Sequence, residues 1–369
     1  MKLRYKIGVA LLILLVAATA SLALVLSYTA PCEPAPSVAE GAQTMQAISS
    51  RCYGSPDVLE FAAVERPEPA AGQVLVKVRA ASVNPLDWHF MRGAPYFMRL
   101  MSGIGAPDDT RLGVDFAGTV VDVGESVTRY QPGDEVFGGA NGAFAEYVVV
   151  RESGAIALKP DNVSFEEAAS VPIAAITALQ ALRDKGQLEA GQKVLINGAS
   201  GGVGTFAVQI AKALGAEVTG VCSTRNVEMV RSIGADHVFD YKKENYTESE
   251  RRYDLIVDMV GNHSVRENLG VLEPSGTLVV VGGGKGDWIE PLKGPLQVLL
   301  LSPFVDQEIA LILARLDSGD LAMLAELMEK GEVKPVIDRR YTLEQVPEAL
   351  RYSESGRARG KIIITVNQD

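Results

Sequence analysis

Val194-Leu195-Ile196-Asn197-Gly198-Ala199-Ser200-Gly201-Gly202-Val203-Gly204 is the stretch from which the rest of the chain can be read. Its apolar start reads as a buried strand. A glycine-rich turn follows, and then Val203, Phe206, Ala207, Ile210, Ala211 and Leu214 recur at helical spacing. Strand, turn and helix in that order are the context a dinucleotide-binding loop requires. One glycine allows the tight turn, the next allows a ligand close to the backbone, and the last allows the helix to pack closely on the strand. The N–H groups of Ala199, Ser200, Gly201, Gly202, Val203 and Gly204, beside the positive end of the helix dipole, suit a pyrophosphate. The alternative is an ordinary strand-to-helix connection.

Working outward, 369 residues suggest two domains and additional segments. The chain is 47% apolar, enough for sizeable cores, and only 6% aromatic, which argues against a base- or sugar-stacking surface. A net charge of −11, with no basic block in the globular part, argues against a nucleic-acid partner. Cys32, Cys52 and Cys222 lie far apart, which implies neither a metal site nor a disulfide framework, and Cys222 falls in an expected core strand.

Residues 1–27 read as a membrane anchor or signal. Lys2, Arg4 and Lys6 precede a charge-free span from Ile7 to Cys32 whose apolar heart, Gly8 to Leu26, is long enough to cross a bilayer. A cleaved signal has a shorter apolar region, although Ala18-Thr19-Ala20-Ser21 and Tyr28-Thr29-Ala30 offer cleavage sites. With the next positive charge at Arg51, the positive-inside rule puts the N-terminus in the cytoplasm and the folded part across the membrane. Residues 28–44, rich in Pro, Ala, Glu and Ser, read as a linker.

From Met45, short strands punctuated by Gly and Pro read as a β-rich barrel-like segment: Met45–Tyr53, Leu59–Val64, Gln73–Ala81, Gly118–Val123, Glu135–Gly138 and Ala145–Val150. Beyond Phe165 the pattern turns helical. Strands at Lys193–Ile196, Glu217–Cys222, His237–Asp240, Leu255–Met259 and Thr277–Val281 then alternate with helices, the mark of a parallel sheet. Pro291–Val305 reads as a core helix, a dimer surface or a substrate lid, and Lys361–Val366 as a closing strand.

Several motifs now stand together: Gly72-Gln73-Val74-Leu75-Val76-Lys77-Val78, Ser82-Val83-Asn84-Pro85-Leu86-Asp87, Leu112-Gly113-Val114-Asp115-Phe116-Ala117-Gly118, Pro132-Gly133-Asp134-Glu135-Val136, the glycine turn and Arg359-Gly360-Lys361. With them the chain resembles the medium-chain dehydrogenase/reductase superfamily from about Met45 onward, and most of all its zinc-independent quinone oxidoreductase branch. The resemblance implies an α/β protein: a GroES-like β-barrel catalytic domain in residues 45–168, a Rossmann doubly wound parallel sheet inserted at 169–306, and completion of the catalytic domain by 307–369.

Zinc-dependent alcohol dehydrogenases of that superfamily have Cys where this chain has Asn84, and Gly-His-Glu where it has Gly113-Val114-Asp115. Valine cannot ligate a metal, so the resemblance implies no zinc site. The NAD form carries an acid at the end of the second strand. Here Ser223, Thr224 and Arg225 stand at that place and suit the 2′-phosphate of NADPH, although Arg225 read alone is also an ordinary surface charge. The resemblance adds Tyr241 to that phosphate site. It places Thr177, Val260, Gly282, Gly283 and Lys361 near the nicotinamide. Lys361 is also readable as a neutralised lysine at a strand start.

Asn84 and Asp87 are the candidates for binding a substrate carbonyl, against the alternative that Asx side chains cap a turn beside Pro85. His89, Tyr96 and His263 are further proton-donor candidates. Phe90 to Met101 reads as a pocket wall or a packed loop. The expectation is hydride transfer from NADPH to a small lipophilic quinone, enone or carbonyl compound, with a homodimer as a possible assembly. A zinc-free alcohol dehydrogenase and a non-catalytic NADPH-binding sensor or scaffold are the alternatives.

Overall fold

The computed structural model describes residues 2–283, 286–288, 294, 296–298 and 301–366. Part of Pro291–Val305, the expected helix, interface or lid, lies outside the described residues, namely 291–293, 295 and 299–300.

The first element is α1 (Lys2–Ser27), whose side chains from Arg4 onward are exposed except in the last turns and whose Arg4–Ser27 portion reaches a mean hydropathy of 2.8. A two-stranded antiparallel ribbon follows, β1 (Thr44–Ser50) with β2 (Leu59–Glu65). Next comes β3 (Gln73–Val83), on whose buried face Val74, Val76 and Val78 meet the barrel core. It pairs with β4 (Asp115–Val123) and β6 (Tyr147–Arg151), and β5 (Glu135–Gly139) and β7 (Ile156–Leu158) extend the sheet in turn beyond β4. Between β3 and β4 lie α2 (Pro85–Arg92) and the short α3 (Arg99–Ser102). Pro85 at the first position of α2 fits a helix start, where its missing N–H is no loss.

After α4 (Phe165–Ala169) and α5 (Pro172–Gln180) the period changes. A parallel sheet forms from β8 (Lys193–Asn197), β9 (Glu217–Cys222), β10 (His237–Asp240), β11 (Tyr253–Asp258), β12 (Leu272–Val280) and β13 (Glu308–Leu311), in the order β10-β9-β8-β11-β12-β13. Helices α6 (Gly202–Ala213), α7 (Val227–Ser232) and α8 (Val265–Leu269) connect its strands. The last strands, β14 (Ile337–Thr342) and β15 (Lys361–Thr365), return to the first sheet, with β15 antiparallel to β3. The two sheets are those of a GroES-like and a Rossmann domain.

Two expectations are corrected. The Rossmann sheet does not end at 306: its sixth strand, β13, pairs with β12 at 308–311, which a short stretch without strong alternation concealed. Cys32 and Cys52 are bonded, with Cα atoms 4.7 Å apart, and Cys222 alone is a free, buried thiol. The sequence separation of 20 hid this pairing because one cysteine lies in the apparent linker and the other at the end of the first strand region.

Candidate active site

The glycine turn runs from the end of β8 into α6. Gly198 has φ of +92°, a left-handed conformation that favours glycine. A Cβ on Gly204 would lie 2.1 Å from the Gly198 carbonyl oxygen and 2.8 Å from the Ala199 Cα, so only glycine lets the helix sit this close to the strand. A Cβ on Gly201 would meet nothing nearer than 3.4 Å, leaving space over the turn. The Ala199 N–H donates to the Val221 carbonyl and the Gly201 N–H to that of Gly198. The amides of Gly202, Val203 and Gly204, in the first helical turn and lacking intrahelical acceptors, are the ones left free to take a ligand. Ser200 is held from both sides: its hydroxyl accepts from the Asn226 amide at 2.9 Å and its carbonyl from the Gly360 N–H at 2.9 Å. The open space, the amides and the helix dipole fit a pyrophosphate.

At the end of β9, Ser223 is half-buried and Thr224 and Arg225 are exposed; the Arg225 guanidinium donates to the Arg357 carbonyl at 2.9 Å. Tyr241 is exposed, with the Lys242 ammonium 5.2 Å from its ring centre. The register adds an acid that sequence reading missed: Asp240 on β10 lies opposite Cys222 on β9. It accepts from the Thr224 hydroxyl at 2.7 Å and pairs with Lys243 at 3.4 Å, and the Thr224 hydrogen bond leads in holding its carboxyl below the usual range.

On the other side of the turn, Thr177 on α5 spends its hydroxyl proton on the Ile173 carbonyl at 2.7 Å. Val260 is exposed at the end of β11, and the carboxylate of Asp258 accepts the amides of Val260 and Gly261 at 3.0 Å each. Gly282 is forced by contact: a Cβ there would lie 2.1 Å from the Met259 carbonyl oxygen. Gly283 is exposed beside it.

The catalytic-domain residues converge on Lys361, which is 2% exposed at the start of β15. Its ammonium donates to the Asn84 side-chain oxygen at 2.6 Å and lies 3.5 Å from Asp115, which is fully buried. The Asn84 amide donates to the same Asp115 oxygen at 2.8 Å and the Ser82 hydroxyl donates to it at 3.0 Å; the other Asp115 oxygen accepts from the Ile173 N–H at 3.0 Å. Desolvation lowers the Lys361 ammonium pKa, opposed by Asp115 and Asp87. Lys361 is thus no surface charge. Its Cδ would stand 3.2 Å from a Cβ on Gly202, which puts it against the glycine turn. Asp115 was visible only as part of a motif, and its partners come from elements far apart in sequence.

Asp87 caps α2 by accepting the Asn84 N–H at 2.7 Å, so the capping role does operate here. It also lines a cavity of about 200 Å³ with Phe90, Met101, Ser102, Leu112 and Val114. Burial pushes its carboxyl up to about 7. His89 is held by the Ala94 carbonyl at 2.6 Å, and burial lowers its pKa. Tyr96 packs edge-on against Trp288 at 4.8 Å, and His263 packs against Tyr246 at 4.9 Å. Among the described residues no group of three or more His, Cys, Asp or Glu side chains is placed to hold a metal ion.

Residues 70–161 match the alcohol dehydrogenase GroES-like domain and residues 233–364 the family described as zinc-binding dehydrogenase. The chain is 34% identical to a 2-methylene-furan-3-one reductase of Solanum lycopersicum, over 87% of this chain and 79% of that protein. It is 36% identical to the mitochondrial NAD(P)H oxidoreductase RTN4IP1 of Mus musculus, over 80% and 82%. The quinone oxidoreductase structure from Coxiella burnetii superposes with a TM-score of 0.78 at 28% identity, covering 88% of this chain and all of that one. The chain belongs to the medium-chain dehydrogenase/reductase superfamily, in its quinone oxidoreductase-like branch.

Proposed function

We propose that this chain is a zinc-independent, NADPH-dependent oxidoreductase that reduces a quinone, enone or carbonyl compound and is tethered to a membrane by α1. The observation that carries the reading is the Lys361–Asn84–Asp115 network packed against the glycine turn. Of the two places where zinc enzymes of the superfamily keep ligands, one holds the Asn84 amide of this network and the other the alkyl side chain of Val114.

The bound nicotinamide supplies the hydride, and the protein positions it. The amides of Gly202, Val203 and Gly204 take the pyrophosphate, with Lys361 adding positive charge behind them. Ser223 and Tyr241 offer a 2′-phosphate hydroxyls and Arg225 a guanidinium, while the Thr224 hydroxyl is held by Asp240, whose charge Lys243 balances. Asp87 meets the cavity with a carboxyl that still carries a proton near neutral pH, so it can donate to a substrate oxygen or carbon as charge develops there. Asn84 acts through its partners: it holds Lys361 and Asp115 in place and fixes the N-terminus of α2.

The Cys32–Cys52 bond supports a domain facing an oxidising compartment, as the charge asymmetry around α1 also does. Reduced nicotinamide must then be supplied on that side. Steady-state turnover with NADPH and NADH against 1,4-benzoquinone and trans-2-alkenals tests the reading. It expects NADPH oxidation with at least one acceptor class, unaffected by chelators; binding of NADPH without oxidation by any acceptor contradicts it.

A further inference from the structure

The last turn of α1 is fastened to the segment that walls the cavity. The Arg99 guanidinium, 2% exposed, donates to the carbonyls of Leu26 at 3.0 Å and Tyr28 at 2.7 Å, and to the Gly93 carbonyl at 2.7 Å. It lies over the rings of Tyr53 and Tyr96, 4.4 and 4.7 Å from their centres. The Ala30 N–H donates to the Gly105 carbonyl at 2.8 Å, and two residues on, the Cys32–Cys52 bond ties the same strand of chain to the end of β1. Helix and domain are therefore joined by a stiff connection at this point.

Beside that joint Phe97 in a 3-10 turn, Leu100 and Met101 on α3, and Ile104 just past the helix end at Gly103 form an apolar stripe along the segment. Here the stripe points outward, with exposures of 40%, 63%, 92% and 56%, while Arg99 on the opposite side is buried. An apolar stripe facing out marks an interaction surface. Depth identifies its occupant. A hydrocarbon core of about 30 Å takes about 20 helical residues. Counting from Gly8, the core ends near Ser27, one residue from the carbonyls that Arg99 grips. Tyr28, exposed, falls where aromatic residues favour the interface. Charge agrees: within residues 96–111 the cations are Arg99, buried on carbonyls, and Arg111, paired with Asp109 at 2.8 Å. Attachment here is apolar and does not call for anionic lipid.

We propose that Phe97, Leu100, Met101 and Ile104 lie in the interface of the bilayer that α1 spans, so that the cavity reached past Met101 takes a lipid-soluble acceptor directly from the membrane. This rests on reading α1 as an uncleaved anchor, and it specifies the substrate class as bilayer-partitioned. Met101 belongs both to the outward stripe and to the cavity lining, and Asp87 lies in the same cavity.

The test uses the full chain reconstituted in phosphatidylcholine vesicles with ordinary or chain-brominated lipid. In Leu100→Trp, the fluorescence added to that of Trp88 and Trp288 is expected to fall at least about twofold with brominated lipid and little with aqueous iodide, as for a residue at interfacial depth. Quenching by iodide alone, in protein that resists carbonate extraction, overturns the proposal while leaving the anchor intact. Protein lost on carbonate extraction overturns both. Leu100→Glu with Ile104→Glu is expected to lower kcat/KM roughly tenfold for a decyl-substituted quinone in the vesicles and not for soluble 1,4-benzoquinone, since the loss is of membrane seating. An equal effect on the two quinones contradicts delivery from the bilayer. Absence of turnover with either by the unsubstituted chain contradicts the proposed activity, and the quenching result still decides the position of the stripe.

Discussion

The Lys361 ammonium donates to the Asn84 side-chain oxygen at 2.6 Å, across 277 positions of sequence. This bond joins the closing strand of the barrel to the start of α2, with Asp115 completing the cluster. Replacing Lys361 with Met leaves the Asp115 carboxylate buried without its cation. The expected cost is about 3–5 kcal/mol, the range for breaking a buried pair from one side. Chemical denaturation measures it, and adding Asp115→Asn is expected to restore part of the loss. Additive costs would show that the two side chains are not coupled.

Asp87 gives a pH dependence of defined sign. Its carboxyl is raised from 3.8 to about 7 in the folded chain. Between those values the folded state holds a proton that the unfolded state has released, so this group's contribution to stability falls as pH rises through the window and is level above it. Asp87→Asn keeps an acceptor for the Asn84 N–H and removes the titration. It is expected to flatten the stability profile between these pH values and to be more stable than the parent at pH 8, by up to a few kcal/mol at roughly 1.4 kcal/mol per unit. The parent is expected to lose kcat above neutrality, and the same variant to lack that pH dependence. An unchanged stability profile would remove Asp87 as the titrating group.

Arg225 is expected to distinguish the two nicotinamides. Its guanidinium is exposed and its one backbone bond, to Arg357, leaves donors to spare. Arg225→Ala should raise the KM for NADPH by roughly 10- to 100-fold, the value of a lost charge-assisted contact to phosphate, and leave that for NADH within about twofold. Equal shifts for both would place Arg225 outside the phosphate site.

The bridge between Cys32 and Cys52 closes a loop with a sequence separation of 20. Its removal by paired Cys→Ala substitution is expected to cost about 3 kcal/mol, and dithiothreitol should lower the melting temperature of the parent but not of the variant. Cys222 is expected to resist alkylation in the folded chain, since burial pushes its thiol up to about 11. Identical melting with and without reductant would contradict a structural bridge.

Local rules made the parallel sheet and its glycine turn legible. The change of period after Phe165 and the requirement for glycine at Gly198 and Gly204 act within a few residues. The site was legible in its parts, because Asn84, Asp87 and Lys361 lie in recognisable motifs. What stayed hidden depends on register and burial. Asp240 reaches the end of β9 only because β10 pairs with it in parallel. Lys361 becomes a buried cation only when β15 closes against β3. Arg99, read as part of a mixed apolar segment, proves to be the cap on the α1 exit, because its partners are carbonyls about 70 residues away, and carbonyls leave no sequence signature.

The central claim is hydride transfer from NADPH to an unsaturated acceptor with no metal taking part, and deuterium tracing tests it most directly. NADPH carrying deuterium at C4 of the nicotinamide is turned over with a trans-2-alkenal or 1,4-benzoquinone after exhaustive dialysis of the full chain against chelator. The account predicts a primary isotope effect on single turnover with undiminished rate after dialysis and, with the alkenal, deuterium in the reduced product. Loss of turnover on dialysis with recovery on added zinc, or an alkenal reduced without deuterium, would contradict it.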